Sequence, residues 1–261
     1  MKAIILAAGR GSRLGRYTEF IPKCMLKVGT ITILEKQIEI LRLAGIDDIV
    51  VVKGFAEHQI SIEGVRYYID EEHCHNMVYS LFCAEQEIEG DVIISYGDIL
   101  YEISVIKELM EAQKGDVMVV TDLLWKEYFC ERFPLPYNEA ESLKYDLYGN
   151  ITDIGRSSPD PKDVQAQYIG LIKLTRAGSK IFRDKYATAR LIFSQKTWLR
   201  ERIFENIYMT DFLQFLIDEG INIKSIPINH GWLEFDTVTD YEKVLSWIEN
   251  RRILHYCDIG L

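Results

Sequence analysis

MKAIILAAGRGSRLGRYTEFIPKCMLKVG, residues 1–29, carries the pattern from which the rest of the chain is read. An apolar run at residues 3–6 has the character of a strand. It leads directly into a turn of small residues, Ala7, Ala8, Gly9, Gly11 and Gly15. Backbone N–H groups approach an anion closely where side chains are this small, and glycine adopts positive φ at little cost. Arg10, Arg13, Arg16, Lys23 and Lys27 surround the turn with positive charge. The combination predicts a cradle for a nucleoside triphosphate.

Two other glycine-loop chemistries fit less well. A dinucleotide fingerprint needs GxGxxG, whereas Gly9, Gly11 and Gly15 give GxGxxxG, one residue too long. A dehydrogenase also has no use for several cations in and just after the turn. A Walker A loop needs GxxxxGK[ST], which is missing. A plain strand-to-loop turn accounts for the glycines alone but not for PKCML at residues 22–26.

With 261 residues, the chain suits a single α/β domain, residues 1–261, because domains commonly hold about 100–200 residues. A net charge of −10 argues against nucleic acid or an anionic membrane as partner. Yet residues 1–27 hold six Lys/Arg and one acid, Glu19, a positive focus suited to a small anionic ligand. A solvated basic edge would carry the same charge. No run approaches the ~18 apolar residues of a membrane span, and the first residues lack a signal-peptide pattern. The five cysteines (Cys24, Cys74, Cys83, Cys130 and Cys257) are odd in number and scattered. That usage suggests free thiols and a cytoplasmic location. A homo-oligomer is compatible with the sequence, which does not report assembly.

Strand-like and helical segments alternate through the first half. Residues 46–52, 65–69, 91–96 and 116–120 are short and β-rich. Leu34, Ile38 and Leu41 with Gly45 behind them predict a helix, as do residues 78–88 and the set Ile103, Ile106 and Met110. Repeated βα units imply a Rossmann-like α/β fold, a mostly parallel sheet with helices on both faces. Ligands bind such sheets at the carboxyl ends of strands, where the LAAG turn sits. Residues 124–165 break the rhythm with four of the six prolines and a dense aromatic set, and are expected to form an inserted flap. Strands are expected again at 168–174 and 221–228, with a helix at 210–220 between them. Thr239 and Glu242 predict a capping box opening the last helix.

The combination of LAAGRGSRL (6–14) and PKCML (22–26) resembles the signature of the nucleotidyltransferases that couple nucleoside triphosphates to phosphorylated small molecules. The resemblance implies the nucleotide-diphospho-sugar transferase type of fold. It puts Leu6, Ala7, Ala8 and Gly9 around the base, and Gly11, Ser12 and Arg13 on the phosphates. Lys23 would bridge nucleotide and acceptor. Phosphoryl chemistry needs Mg2+, held by hard oxygen ligands. Asp98, at the end of the apolar strand in SYGDIL, and Glu234 with Asp236 in WLEFDT, are the candidate metal ligands. Period-two spacing puts Glu234 and Asp236 on one face of an extended segment. An Asp after a strand also commonly caps the next helix, and Glu234 read alone is equally a solvated strand residue.

HNMVYSLFCAE (75–85) resembles the cytidylyltransferase branch typified by bacterial phosphocholine cytidylyltransferases, with related phosphonate and phosphoglutamine enzymes. Met77 replaces the second Asn of its commoner NNxYSL form. The resemblance implies that Asn76 and Ser80 contact cytidine and that Lys144 reaches the phosphates. Helix capping by Asn76 and an exposed edge position for Lys144 are equally open. Residues 140–156, 166–174 and 209–220 extend the match. His73, Cys74 and His75 lack further ligands at zinc spacing and are expected to form a polar loop beside the nucleotide.

The expected reaction joins CTP to a phosphorylated or phosphonylated, phosphocholine-like acceptor and releases pyrophosphate. A sugar-1-phosphate nucleotidyltransferase using UTP or dTTP is an alternative, as is a regulatory subunit without turnover, although that would lack the metal carboxylates or the lysine. Trp125, Tyr128, Phe129, Tyr137 and Trp232 could form an aromatic surface for a cationic head group, or simply pack the flap onto the sheet.

Overall fold

The computed structural model describes residues 1–72 and 76–260, so the expectation for His73, Cys74 and His75 lies outside the described residues. The strands in chain order are β1 (Lys2–Ala7), β2 (Lys27–Val28), β3 (Ile31–Thr32), β4 (Asp48–Lys53), β5 (Arg66–Ile69), β6 (Val92–Tyr96) and β7 (Ile99–Tyr101). They continue with β8 (Val117–Asp122), β9 (Glu141–Tyr145), β10 (Ile151–Ser157), β11 (Gln167–Leu174), β12 (Ile223–Ile228) and β13 (Trp232–Glu234). The helices are α1 (Ile33–Leu43), α2 (Met77–Phe82), α3 (Ile103–Glu111), α4 (Trp125–Arg132), α5 (Pro136–Glu139), α6 (Arg176–Phe193), α7 (Met209–Asp218) and α8 (Val238–Glu249).

Seven strands form one sheet in the order β12-β8-β11-β6-β1-β4-β5. β1 runs parallel to both neighbours, with Ile4 opposite Val50 on one side and Ile94 on the other. β11 is antiparallel to β6 and β8, the exception in an otherwise parallel sheet. The mostly parallel α/β fold expected from sequence is therefore the observed one.

Strand alternation sorts β1 into two apolar layers. Ala3, Ile5 and Ala7 face a layer that includes Leu34 and Leu41 of α1, Ile106 of α3 and Trp247 of α8. Ile4 and Leu6 face the opposite layer, with Leu81 of α2, Phe182 of α6 and Phe212 of α7. Each fully buried large apolar side chain contributes about 1.5–3 kcal/mol, so β1 is held from both sides before its turn begins.

Two local expectations are corrected. The helix expected over 78–88 ends at Phe82, and a separate 3-10 turn covers Glu85–Glu87. Ala84 between them has φ −110° and ψ 33°, which is not helical. The capping box of α8 is Thr237 with Asp240, two residues before the expected pair. Asp240 accepts from the Thr237 N–H at 2.9 Å and donates its own N–H to Thr237 Oγ1 at 3.1 Å. Glu242 is instead paired with Arg16 on the surface.

Residues 124–165 divide into two parts. Trp125, Tyr128 and Phe129 of α4 are buried in the layer that holds Trp232, Trp247 and Tyr256. The β9–β10 hairpin packs Leu143, Ile151 and Ile154 into the other layer, close to α7.

Gly97 lets the turn after β6 close over the end of β1. Its N–H donates to Leu6 O at 2.9 Å, and a Cβ there would sit 2.6 Å from that same oxygen. The obstacle is backbone at the centre of the sheet, which cannot move aside cheaply. Gly97→Ala should therefore lower unfolding free energy by about 1–3 kcal/mol, the usual cost of overpacking, measured by urea denaturation. Unchanged stability would mean that the turn relaxes freely.

Candidate active site

The turn after β1, the turn after β6 and the segment after β13 converge on one lysine. Lys23 Nζ lies 2.7 Å from Asp98 Oδ2 and 2.7 Å from Asp236 Oδ1. Gly11 makes this approach possible: it adopts a left-handed φ of 72°, and a Cβ would lie 2.9 Å from Lys23 Cβ. β7 and β13 pair antiparallel, Glu234 opposite Ile99, and Phe235 N–H donates to Asp98 O at 3.1 Å. This ladder brings residues 98 and 236 together, and Asp98 is followed by β7 rather than capping a helix.

Burial works against the Lys23 charge, but Asp98, Asp236 and Glu234 outweigh it and raise its pKa above the ordinary lysine value. Burial likewise opposes ionisation of Asp236, yet Lys23, Arg132 and Arg13 hold that carboxyl well below the usual range. Burial and then the Asp236 charge push Glu234 up to about 7, against the pull of Arg132. The two carboxylates two residues apart thus differ in character.

Asp98 Oδ1 is buried and accepts no hydrogen bond among the described residues. A buried orphan oxygen is costly unless something else coordinates it. Together with the Asp236 carboxylate it forms a hard oxygen donor set of the kind Mg2+ takes, so the residues present fit that ion. Glu234 is engaged separately by Arg132 at 2.8 Å.

One pocket beside this cluster is lined by Leu6, Ala7, Ala8 and Gly9, by Asn76, Met77 and Ser80, and by Lys23, Cys24, Asp70, Gly97 and Asp98. Asn76 also caps α2, its Oδ1 accepting from Met77 N–H at 2.8 Å, so both of its sequence readings hold geometrically. A second pocket lies across Asp236, with Arg13, Met77, Tyr168, Glu141, Arg202, Tyr208, Thr210 and Glu234 among its lining residues. Arg13, an exposed lining residue, lies 3.0 Å from Asp236.

Other expected residues are elsewhere. Gly11 and Ser12 belong to neither pocket lining. Lys144 is not brought to the site: it lies on β9, half-exposed, paired with Asp163 at 3.2 Å. Arg10 sits over the Phe55 ring and Arg16 pairs with Glu242, so the five cations around the opening turn do not act as one group. Of these, Arg13 and Lys23 reach the carboxylates.

The aromatic set expected to meet a cation divides: Phe129 and Trp232 line the second pocket, while Trp125 and Tyr128 pack inward. Trp125, Tyr128, Phe129 and Trp232 are buried. The Arg132 guanidinium occupies the faces of Tyr128, Phe129 and Phe133 at 5.1, 5.2 and 4.7 Å. The cation these rings hold comes from the chain itself.

Sequence reasoning missed Asp70 and Arg132. Asp70 is fully buried, lines the first pocket and accepts from Ser80 Oγ at 2.6 Å. It follows β5, the same position relative to a strand that drew attention to Asp98. Arg132 bonds Glu234, Asp236 and Asp240 from the end of α4. No local motif marks it, since its partners lie about a hundred residues away.

Comparison with known proteins shows the family. Residues 3–131 match the MobA-like NTP transferase domain family. Campylobacter jejuni CTP:phosphoglutamine cytidylyltransferase is 35% identical over 254 residues, covering 93% of this chain and 98% of that protein. The chain belongs to the nucleotidyltransferases, in their cytidylyltransferase branch. Choline-phosphate cytidylyltransferase of Streptococcus pneumoniae is 36% identical over 107 residues, 39% of this chain and 47% of that one. Among solved structures, the Streptococcus pneumoniae CTP:phosphocholine cytidylyltransferase superposes with a TM-score of 0.70 at 22% identity, covering 95% and 98% of the two chains. The inositol-1-phosphate CTP transferase of T. maritima gives 0.71 at 20% identity, covering 95% and 96%. These two structural likenesses speak for the fold.

Two substitutions separate chemistry from support in this nucleotidyltransferase. Asp98→Asn should lower kcat by about 10²–10³, as loss of a single electrostatic stabiliser does, while the protein stays folded; pyrophosphate release measures it, and near-native turnover would remove Asp98 from the site. Arg132→Met should instead cost about 3–5 kcal/mol of stability, because it leaves buried carboxylates uncompensated. Urea denaturation reads this directly, and a stability change below about 1 kcal/mol would contradict the role assigned to Arg132.

Proposed function

We propose that this enzyme transfers CMP from CTP to a phosphorylated small molecule of zwitterionic, amino-acid type, releasing pyrophosphate with the help of Mg2+. The observation that carries the reading is the shared cluster of Lys23, Asp98 and Asp236 standing between two pockets. One pocket takes the nucleotide and the other the acceptor, so the reacting phosphates meet at the cluster.

An acceptor phosphate oxygen attacks the α-phosphorus of CTP in line. A new P–O bond forms as the bond from the α-phosphorus to the bridging oxygen breaks, and that electron pair leaves with pyrophosphate. With a second pKa of about 6, the acceptor phosphate is largely dianionic at neutral pH and needs no general base. Catalysis is then positioning and charge neutralisation. Lys23 and Arg13 supply fixed positive charge between the two anions. Asp98 and Asp236 would hold Mg2+, which when bound neutralises charge on the phosphate oxygens.

Asp70 supports the choice of base. Cytosine presents an exocyclic amino donor where uracil presents a carbonyl acceptor, and a buried carboxylate beside Asn76 and Ser80 suits the donor. The acceptor reading rests on opposite charges in the second pocket, Arg202 suiting a carboxylate and Glu141 an ammonium. A quaternary amine such as phosphocholine would engage the acidic side of the pocket but offer no carboxylate to Arg202, which is otherwise paired with Asp211 at 3.3 Å. The phosphoglutamine named for the Campylobacter relative has the required zwitterionic group. The four described cysteines are free thiols, in keeping with a cytoplasmic setting.

CTP should exceed UTP and dTTP in kcat/KM by tenfold or more, roughly the cost of an unpaired buried polar group, and Asp70→Asn should shrink that preference. Equal use of CTP and UTP by the wild type would sink the assignment of the base. With CTP fixed, phosphorylated glutamine should outrank phosphocholine, inositol-1-phosphate and 2-aminoethylphosphonate, and Arg202→Ala should erase that ranking. A top rank for phosphocholine would overturn the acceptor reading alone.

A further inference from the structure

Behind the active site, on the far side of α4, three side chains from distant parts of the chain come together. Glu127 lies in the first turn of α4, His230 in the turn between β12 and β13, and His255 at the end of the 3-10 turn Arg252–His255. One donor atom from each falls within 4.8 Å of the others. His230 Nε2 is 3.4 Å from Glu127 Oε2. Two ligands on one tetrahedral zinc ion, each bonded at ~2.0–2.1 Å, stand about 3.3 Å apart. That pair already has the separation a metal requires, and a donor atom of the exposed His255 lies within 4.8 Å of both.

His230 is built into place. It is nine-tenths buried, in a backbone conformation with φ 59° that few residues other than glycine adopt. Its Nδ1 has no hydrogen-bond partner; the nearest acceptor recorded is Asp122 Oδ2, 3.8 Å away. Asp122 is itself fixed by Trp232 Nε1 at 2.9 Å, His230 N–H at 3.0 Å and Leu124 N–H at 2.8 Å. A carboxylate behind the ring nitrogen opposite the metal is the usual support of a ligating histidine. A buried imidazole with one nitrogen toward a carboxylate and the other toward a Glu–His pair is what a metal ligand requires. A merely packed histidine has no need of that arrangement.

We infer that Glu127, His230 and His255 bind one divalent transition-metal ion of the zinc class, at a site separate from the Mg2+ carboxylates. Two imidazoles and a carboxylate select zinc, cobalt or nickel over magnesium, which takes oxygen ligands. The ion would tie the C-terminal turn to α4 and to the loop entering β13. These are the elements that carry Arg132, Glu234 and Asp236, and Gly231 N–H already donates to Tyr256 O at 2.7 Å across this junction. The role is structural: it stiffens the support of the active site from behind.

The test titrates metal-stripped protein with CoCl2 and ZnCl2 in excess Mg2+, which occupies oxygen-only sites, and in a Cys130→Ser background that removes the exposed thiol of α4. One Co2+ per chain should bind with the visible absorption of a tetrahedral nitrogen-ligated ion, and Zn2+ should displace it and raise the thermal midpoint. His255→Ala and Glu127→Gln change exposed side chains, so both should fold and turn over with Mg2+ as before. Each should weaken Co2+ binding by about tenfold or more and abolish the midpoint shift. Wild-type protein that shows no Co2+ absorption at 0.1 mM metal (roughly the weakest affinity worth calling a site), or His255→Ala that binds as wild type does, would overturn the assignment.

Discussion

Everything at the active site depends on one buried cation placed between two carboxylates. Lys23, Asp98 and Asp236 come from the first, second and last parts of the chain. Any one of them buried alone would be an uncompensated charge costing several kcal/mol, and together they compensate one another. The arrangement therefore fixes the opening turn, the turn after β6 and the segment after β13 relative to one another. It also concentrates, at one point, the positive charge that two phosphate anions need and the oxygen ligands that a divalent ion needs.

Arg132 extends the same logic one layer outward. Its guanidinium satisfies Asp240, which caps α8, and Glu234, which precedes Asp236, while three aromatic rings cover its faces. Because Arg132 and Lys23 both act on Asp236, that carboxylate stays ionised, whereas Glu234 is pushed up to about 7 by burial and its neighbour. Sequence spacing treats Glu234 and Asp236 as equivalent. Their surroundings make one a firm anion and the other a group that changes charge near neutrality.

The order of strands explains why the two pockets differ. The first is formed by the ends of β1 and β6 with the start of α2, elements whose positions follow from parallel βα winding. The second pocket is assembled from the hairpin β9–β10, β11, α5 and the start of α7, on the side where β11 runs against the direction of the sheet. Irregular elements there can vary in side chain without disturbing the sheet.

Local patterns in the sequence determined the sheet, most helices, the glycine turn after β1 and the positions of the carboxylates that stand at the ends of strands β6 and β13. Each is written in contiguous residues: alternation in β1, the glycines of the turn, the SYGD and WLEFDT segments. Backbone geometry converts such patterns to structure within a few residues, so they are legible without the rest of the molecule. Tertiary structure alone decided that Lys144 pairs with Asp163, that Asp70 lines the first pocket, and that Arg132 lies over Tyr128 and Phe129 of the aromatic set. These outcomes turn on which distant charges neutralise each other in a low-dielectric interior. That choice depends on burial and on separations of a few ångströms, which no local pattern of residues records.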